Sequence, residues 1–240
     1  MKVTVVGCST SWTERPMSSY CINGNILVDC GSATPKNYPT CNIKVGDIKH
    51  IFITHLHSDH TGGLTNFFGQ YINYHRMSSS NFVTIYGPKG LKEYLKHLLY
   101  ICLIDKANEN LENYFNIVEI DDFNQKLKVE NYEISVFKFS HGNVQDIAYI
   151  FDDGKVKVGF SGDLNYQEGI DKFISSFDYG FLECCSMKSS PAHLGYDHFI
   201  ELQNQFPNKK IYAIHCVDEV YHNEKQLGIT CAKHSKTYEF

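Results

Sequence analysis

The stretch from Ile51 to Gly63, IFITHLHSDHTGG, sets three imidazoles and a carboxylate within six consecutive positions, directly after an apolar run. The apolar part reads as a buried strand, beginning at Ile48 or His50 and ending at Thr54, where the polar cluster starts. His55 and His57 are two residues apart, so in extended backbone their side chains point the same way and can grip one ion. Asp59 and His60 follow in a loop, free to turn toward a second ion. Imidazole and carboxylate together suit a borderline-soft transition metal, whereas magnesium or calcium would ask for more oxygen ligands. Zinc is the first expectation, with manganese or iron as alternatives. The paired glycines after Thr61 fit a close backbone approach before a helix.

The rest of the chain supplies an alternation of strands and helices. KVTVVG and ILVDCG are strand-length apolar runs, and the Asn23-Gly24 pair between them suits a hairpin turn. Leu64, Phe67, Phe68, Tyr71 and Ile72 recur at helical spacing, as do Leu91, Leu95, Leu98, Leu99 and Cys102 after the strand FVTIYG and Pro88. NENLENYFN reads as a polar connection. YEISVFKFSHG, IAYIFDDGKVKVGFSGD and YGFLECCS then predict strands, with a turn at DDGK. Helices are expected at Tyr166–Ser175 and around His198–Phe206, a strand at KIYAIH, and a closing strand along LGITCAKHSKTYEF. No internal repeat, low-complexity tract or flexible linker interrupts this order, which predicts one layered α/β domain over 1–240. At 42% hydrophobic and 20% charged residues the chain has the composition of a globular protein. No apolar run is long enough to span a bilayer and the N-terminus carries no secretory pattern, so the reading is a soluble, cytoplasmic protein with no membrane partner. Nine cysteines, an odd number without CxxC pairs, are read as reduced and mostly buried.

Further ligands should sit at strand ends, preceded by apolar residues and followed by small ones. VFKFSHG offers His141, VKVGFSGD offers Asp163 and KKIYAIHC offers His215, while Asp29 in ILVDCG is placed to orient the HLHSDH loop. With this set in view the chain resembles the metallo-beta-lactamase fold, in the branch of ribonuclease Z and related phosphodiesterases. HxHxDH followed by TGG carries the resemblance, and the order Asp29, HLHSDH, His141, Asp163, His215 extends it over most of the chain. The resemblance implies a four-layer alpha-beta/beta-alpha sandwich with a dinuclear site at one edge. It implies that His55, His57 and His141 hold one metal, that Asp59, His60 and His215 hold the other, and that Asp163 bridges them. LECCSM and AHLGYDH resemble that branch's acid and late histidine, which places Glu183 and His193 near the scissile phosphate.

The chemistry so implied is hydrolysis of a phosphodiester by a metal-bridging hydroxide. Asp59 would orient the water or accept its proton, and His193, its tautomer fixed by Glu183, would stabilise developing charge or protonate the leaving oxygen. Cys184, Cys185 and Cys216 are read as packing residues, Cys216 pointing away from His215. GCSTSWTERPMSSY is similar to the branch's first loop and puts Trp12 or Arg15 at the pocket rim, near a bound base or phosphate.

The sequence departs from ribonuclease Z in one respect that bears on substrate. That enzyme's bacterial form inserts its transfer-RNA-binding arm between the motifs matching His141 and Asp163, and only 21 residues separate them here. The net charge of −5, with Lys36, Lys44 and Lys49 dispersed, also disfavours an extended phosphate-backbone surface. The expected substrate is therefore a small phosphodiester such as a cyclic nucleotide or nucleotide diester. RNA 3′-processing and thioester or lactone hydrolysis are the alternatives, and homodimerisation is expected.

Overall fold

The computed structural model describes residues 1–32, 34–75, 82–102 and 110–240. Its strands are β1 (Lys2–Gly7), β2 (Ser19–Ile22), β3 (Ile26–Val28), β4 (His50–Phe52), β5 (Val83–Gly87), β6 (Phe115–Glu119), β7 (Leu127–Val129), β8 (Tyr132–His141), β9 (Val144–Asp152), β10 (Lys157–Phe160), β11 (Tyr179–Glu183), β12 (Lys210–Ile214) and β13 (Lys236–Glu239). Among the described residues they form two mixed sheets, ordered β13-β1-β2-β3-β4-β5-β6 and β12-β11-β10-β9-β8-β7. In the first sheet β3, β4, β5 and β6 run parallel, and in the second β10, β11 and β12 do.

Strand periodicity sorts the apolar side chains into layers. Val3, Val5, Ile26, Val28 and Phe52 face Phe151, Phe160 and Phe181 in a core between the sheets. Their neighbours Val6, Leu27, Ile51 and Ile53 project to the other face, under the helices Leu64–Gln70 and Leu91–Cys102. The second sheet's outer face packs Ala148, Ile150, Leu182 and Ala213 against the helices Ile170–Ser175 and Tyr196–Gln205. Helix, sheet, sheet, helix is the expected four-layer sandwich.

The predicted hairpin forms, with Asn23 and Gly24 both at positive φ (48° and 83°), the pairing a tight two-residue turn of this hand requires. The Tyr166–Ser175 helix begins only at Ile170, because Gly169 at φ 91° turns the chain first. The final strand is confined to Lys236–Glu239, which pairs with β1. Part of the NENLENYFN connection is strand β6, and its first residues, Asn108 and Glu109, lie outside the described residues.

The topology gathers polar strand ends. Asp29 follows β3, the HLHSDH segment follows β4, His141 ends β8, Asp163 follows β10, Glu183 ends β11 and His215 follows β12. These are carboxyl ends, and within each sheet the strands that carry them run the same way, which sets the side chains along one edge, where α/β folds build their sites.

Candidate metal centre

Asp59 and His60, expected in a loop, sit instead in one helical turn, Ser58–Thr61, closed by the Thr61 and Gly62 N–H groups donating to the His57 and Ser58 carbonyls at 3.1 and 2.7 Å; the HLHSDH segment as a whole is shaped by Asp29. This buried residue turns out of β3 at φ 58°, a left-handed conformation that Asp tolerates better than most side chains. Its Oδ1 accepts the Thr54 backbone N–H at 2.8 Å, and the Thr54 hydroxyl lies 3.0 Å from Oδ2. His60 Nδ1 lies 2.7 Å from Asp29 Oδ2, a distance at which an ionised carboxylate can only accept, so Nδ1 carries a proton and Nε2 is the nitrogen left to face an ion; burial lowers the His60 pKa, but the charges of Asp163 and Asp29 outweigh it and raise it well above the usual imidazole range, so an ion there would displace a proton. Close approach follows at Gly63, where a Cβ would stand 2.3 Å from the Gly31 carbonyl oxygen.

The same logic recurs around the site. His141 Nδ1 donates to the Ala192 carbonyl at 2.7 Å, and His193 Nδ1 lies 2.6 Å from Glu183 Oε1. Glu183 Oε1 is also 3.2 Å from His215 Nδ1, while its Oε2 accepts the Leu164 backbone N–H at 2.8 Å. His215, like Asp29, has positive φ (58°), which swings its ring off the end of β12. His55 Nδ1 sits 3.2 Å from Asp146 Oδ1. With the Nδ1 atoms of these imidazoles engaged, the Nε2 atoms of His55, His60, His141 and His215 are the ones directed inward.

Among the described residues four overlapping groups of donor atoms could hold an ion, and two of them are the expected sets, His55, His57 and His141, and Asp59, His60, Asp163 and His215. In the first, His57 Nδ1 is 3.2 Å from His55 Nε2 and 3.1 Å from His141 Nε2. In the second, His215 Nε2 is 3.2 Å from Asp59 Oδ2 and 3.3 Å from Asp163 Oδ2, and His60 Nε2 is 3.2 Å from Asp163 Oδ1. A tetrahedral zinc site with arms of about 2.0–2.1 Å has edges of about 3.3–3.4 Å, and these pair spacings are close to that length. Asp163 Oδ2 also lies 3.9 Å from His55 Nε2 and 4.0 Å from His141 Nε2, which puts one carboxylate between the two groups.

Two further observations fit cations here. His60 Nε2 and Asp163 Oδ1 are buried and face each other at 3.2 Å without hydrogen-bond geometry or any other partner, although buried polar atoms as a rule are hydrogen-bonded. Burial pushes the Asp146 carboxyl well above its ordinary range and the charges of Asp163 and Asp29 add to it, so positive charge would stabilise this group of acids. Burial also holds His55 well below the usual imidazole range, which keeps it neutral as a ligand must be. At His193 burial would lower the pKa, yet the hydrogen bond and charge of Glu183 outweigh it and raise it.

Of these groups His57, Asp59, His141, Asp163 and His215 line a pocket of about 270 Å³, whose walls also include Thr10, Ser11, Trp12, Ser58 and His193. All of the sequence-predicted site residues converge on it or directly behind it. Trp12 stands at the rim as expected. Arg15 does not, because its guanidinium lies 3.9 Å over the Tyr221 ring, donates to the Cys216 carbonyl at 2.7 Å and pairs with Asp218. Cys184 and Cys216 pack in the outer helical core, whereas Cys185 places its thiol in reach of Glu183, His193 and His215.

Asp146 is the residue that sequence reasoning missed. It is fully buried in β9, its Oδ1 faces His55 Nδ1 and accepts the Asp163 backbone N–H at 3.2 Å. Gly162, at φ 63°, makes room for it, since a Cβ there would lie 2.3 Å from Asp146 Oδ1. An aspartate facing the core of a sheet is itself the signal, but DIAYIFDD carries no ligand motif around it.

Comparison with known proteins agrees with this architecture. The family described as "Anti-Pycsar protein Apyc1" matches residues 1–238. A ribonuclease Z of Pediococcus pentosaceus is 35% identical over 115 residues, covering 48% of this chain and 35% of that relative, so the match spans about a third of the relative's length. Among solved structures, the metallo-beta-lactamase fold protein YhfI of Bacillus subtilis superposes with a TM-score of 0.78 at 18% identity, covering 100% of this chain and 99% of the other. A diphosphatase of the PhnP family gives 0.79 at 18% identity, with 100% and 97% covered. These two show the metallo-beta-lactamase fold.

Proposed function

Because the chain belongs to the Anti-Pycsar protein Apyc1 family, whose match runs nearly end to end, we propose that it is a metal-dependent hydrolase with a dinuclear site that cleaves phosphodiester bonds of a small nucleotide-like substrate. The observation that carries this reading is a single buried carboxylate, Asp163, set between two donor groups at the floor of a small pocket. His55, His57 and His141 would hold one ion, and Asp59, His60 and His215 the other, with Asp163 shared. Zinc suits the imidazole-rich set best, with manganese or iron as alternatives. Two such ions, when bound, supply Lewis acidity toward phosphoryl oxygens and lower the pKa of water.

The chain's own groups account for the rest. Asp59 faces the pocket and is placed to orient water and take its proton. Glu183 occupies His193 Nδ1, which leaves Nε2 to deliver a proton to the departing oxygen, and the hydrogen bond and charge of Glu183, which outweigh burial, favour the protonated ring. Behind them Asp29 and Asp146 fix the ring orientations of His60 and His55.

The pocket's size and walls support the substrate class. Hydroxyls, imidazoles and carboxylates line it, with Trp12 the large apolar side chain among them, a poor match for the acyl group of a thioester or lactone. The residues between His141 and Asp163 form β9, a DDGK turn and β10, and His141 pairs with Val144 at once, so that stretch is spent on the sheet. A ribonuclease Z-like action on RNA is the second reading, favoured by the curated relative.

The test is turnover by zinc- or manganese-loaded protein of bis(p-nitrophenyl) phosphate and a 3′,5′-cyclic nucleotide, beside precursor transfer RNA and an aryl thioester. Diester hydrolysis that falls by about 10²-fold or more in Asp59→Ala is expected. Metal-loaded protein that leaves both diesters intact, or prefers the thioester, would overturn the reading.

A further inference from the structure

Trp12 is the chain's one tryptophan, and its side chain is 66% exposed although it stands in the wall of the metal-site pocket. Of the large apolar side chains that are exposed among the described residues, Tyr100, Ile101, Val118 and Tyr166 lie outside that pocket's lining. An indole is the largest apolar surface a chain can offer, and leaving it bare forgoes its burial unless something else covers it. Its ring stands against His193, with centroids 5.6 Å apart and planes at 71°.

The loop that presents it is fastened. Cys8 and Ser9 both donate backbone N–H groups to the Pro16 carbonyl at 3.1 Å, and the Ser9 and Thr13 hydroxyls lie 2.6 Å apart. Arg15 ties the loop to the end of β12 through the Cys216 carbonyl, next to His215, and its guanidinium carbon lies 3.9 Å from the centre of the Tyr221 ring. Trp12 thus hangs from a rigid frame that also carries a metal-site histidine. Rigid, exposed aromatic surface beside a phosphate-handling site is what stacks a planar ring, because every nucleobase has a π-face and stacking requires no particular edge.

We infer that Trp12 is the specificity-determining residue of this pocket: it stacks the nucleobase of the substrate and so holds the attached phosphodiester at His193 and the ion-binding groups. The inference rests on the phosphodiesterase reading above and adds to it which part of the substrate is gripped, and by which side chain.

A single tryptophan makes the test direct. AMP should quench or shift the emission of the metal-loaded protein, and ribose 5-phosphate, the same ligand without its base, should not. The ratio of kcat/KM for a 3′,5′-cyclic nucleotide to that for the abasic 3′,5′-cyclic ribose phosphate should fall by about 5–150-fold in Trp12→Ala, with most of it recovered in Trp12→Phe, which keeps a π-face. A ratio unchanged in Trp12→Ala, or emission unmoved by millimolar AMP, would overturn the inference. If the abasic and nucleotide diesters are both hydrolysed with that ratio unchanged, the inference fails while the phosphodiesterase reading survives. If no diester is hydrolysed, that reading fails and the emission titration alone decides the role of Trp12.

Discussion

Replacing Asp29 with asparagine probes how the fold sets the metal centre. The change is nearly isosteric, and the amide oxygen can still accept the Thr54 backbone N–H that Asp29 now accepts at 2.8 Å. The amide nitrogen would then face His60 Nδ1, 2.7 Å from the present Oδ2. Two donors cannot share that distance, so His60 must either lose its partner or move its proton to Nε2, the nitrogen directed at Asp59, Asp163 and His215. A charge-assisted hydrogen bond of this kind contributes about 1.5–3 kcal/mol. For a chain of this size that is a fall of about 3–12 °C in the melting temperature of the metal-free protein. Loss of such an outer partner typically weakens metal affinity by about 10–100-fold. The weakening should fall on one of two ions, because in the other group His55 faces Asp146 and His141 donates to the Ala192 carbonyl. The assay is competition for zinc against a chelator series, with bound metal counted per chain, beside a melting curve without metal. Asp29→Asn protein that melts lower yet binds two ions with unchanged affinity would refute the argument that Asp29 acts through the His60 tautomer.

Three other outcomes are expected. Gly162→Ala should cost about 2 kcal/mol or more, since a left-handed φ alone costs an L-residue about 1–2 kcal/mol and the new Cβ would meet Asp146 Oδ1 at 2.3 Å; a melting temperature within a degree of wild type would contradict it. His193→Gln should lower kcat by about 10²–10⁴-fold while leaving two ions bound, which metal counting beside steady-state kinetics would check. Cys8, Cys21 and Cys30 have thiols that burial pushes up to about 12, so at pH 8 iodoacetamide should label the part-exposed Cys41 and Cys102 first; mass spectrometry finding Cys8 or Cys30 modified at the same rate would contradict that.

What could be read from the sequence follows from how locally each feature is encoded. The candidate ligands of the HLHSDH segment are neighbours in the chain, and His141, Asp163 and His215 each end or follow an apolar strand, so periodicity marked them. The four-layer fold was legible because Val3, Val5 and Val6, or Ile51, Phe52 and Ile53, alternate faces that both need covering. Asp146 was not legible, because its meaning comes from His55 and Gly162, both distant in sequence, rather than from its neighbours. Strand β6 was read as a loop since its outer residues Asn116 and Glu119 are polar and exposed, as an edge strand permits. The C-terminal segment was over-read as strand because Ile229, Thr230 and Cys231 have strand-like side chains, yet they pack beside β12 through one isolated bridge. Arg15 was misplaced because nothing in WTERPM reveals Tyr221, two hundred residues away, as the ring it covers.

The proposed hydrolysis of a small phosphodiester requires two ions acting together. Its most direct test is to strip the protein with chelator and add zinc or manganese stepwise while following hydrolysis of a 3′,5′-cyclic nucleotide. Activity should climb until two ions are bound per chain and stay flat thereafter. Full activity at one ion per chain, or none with two ions bound, would contradict it.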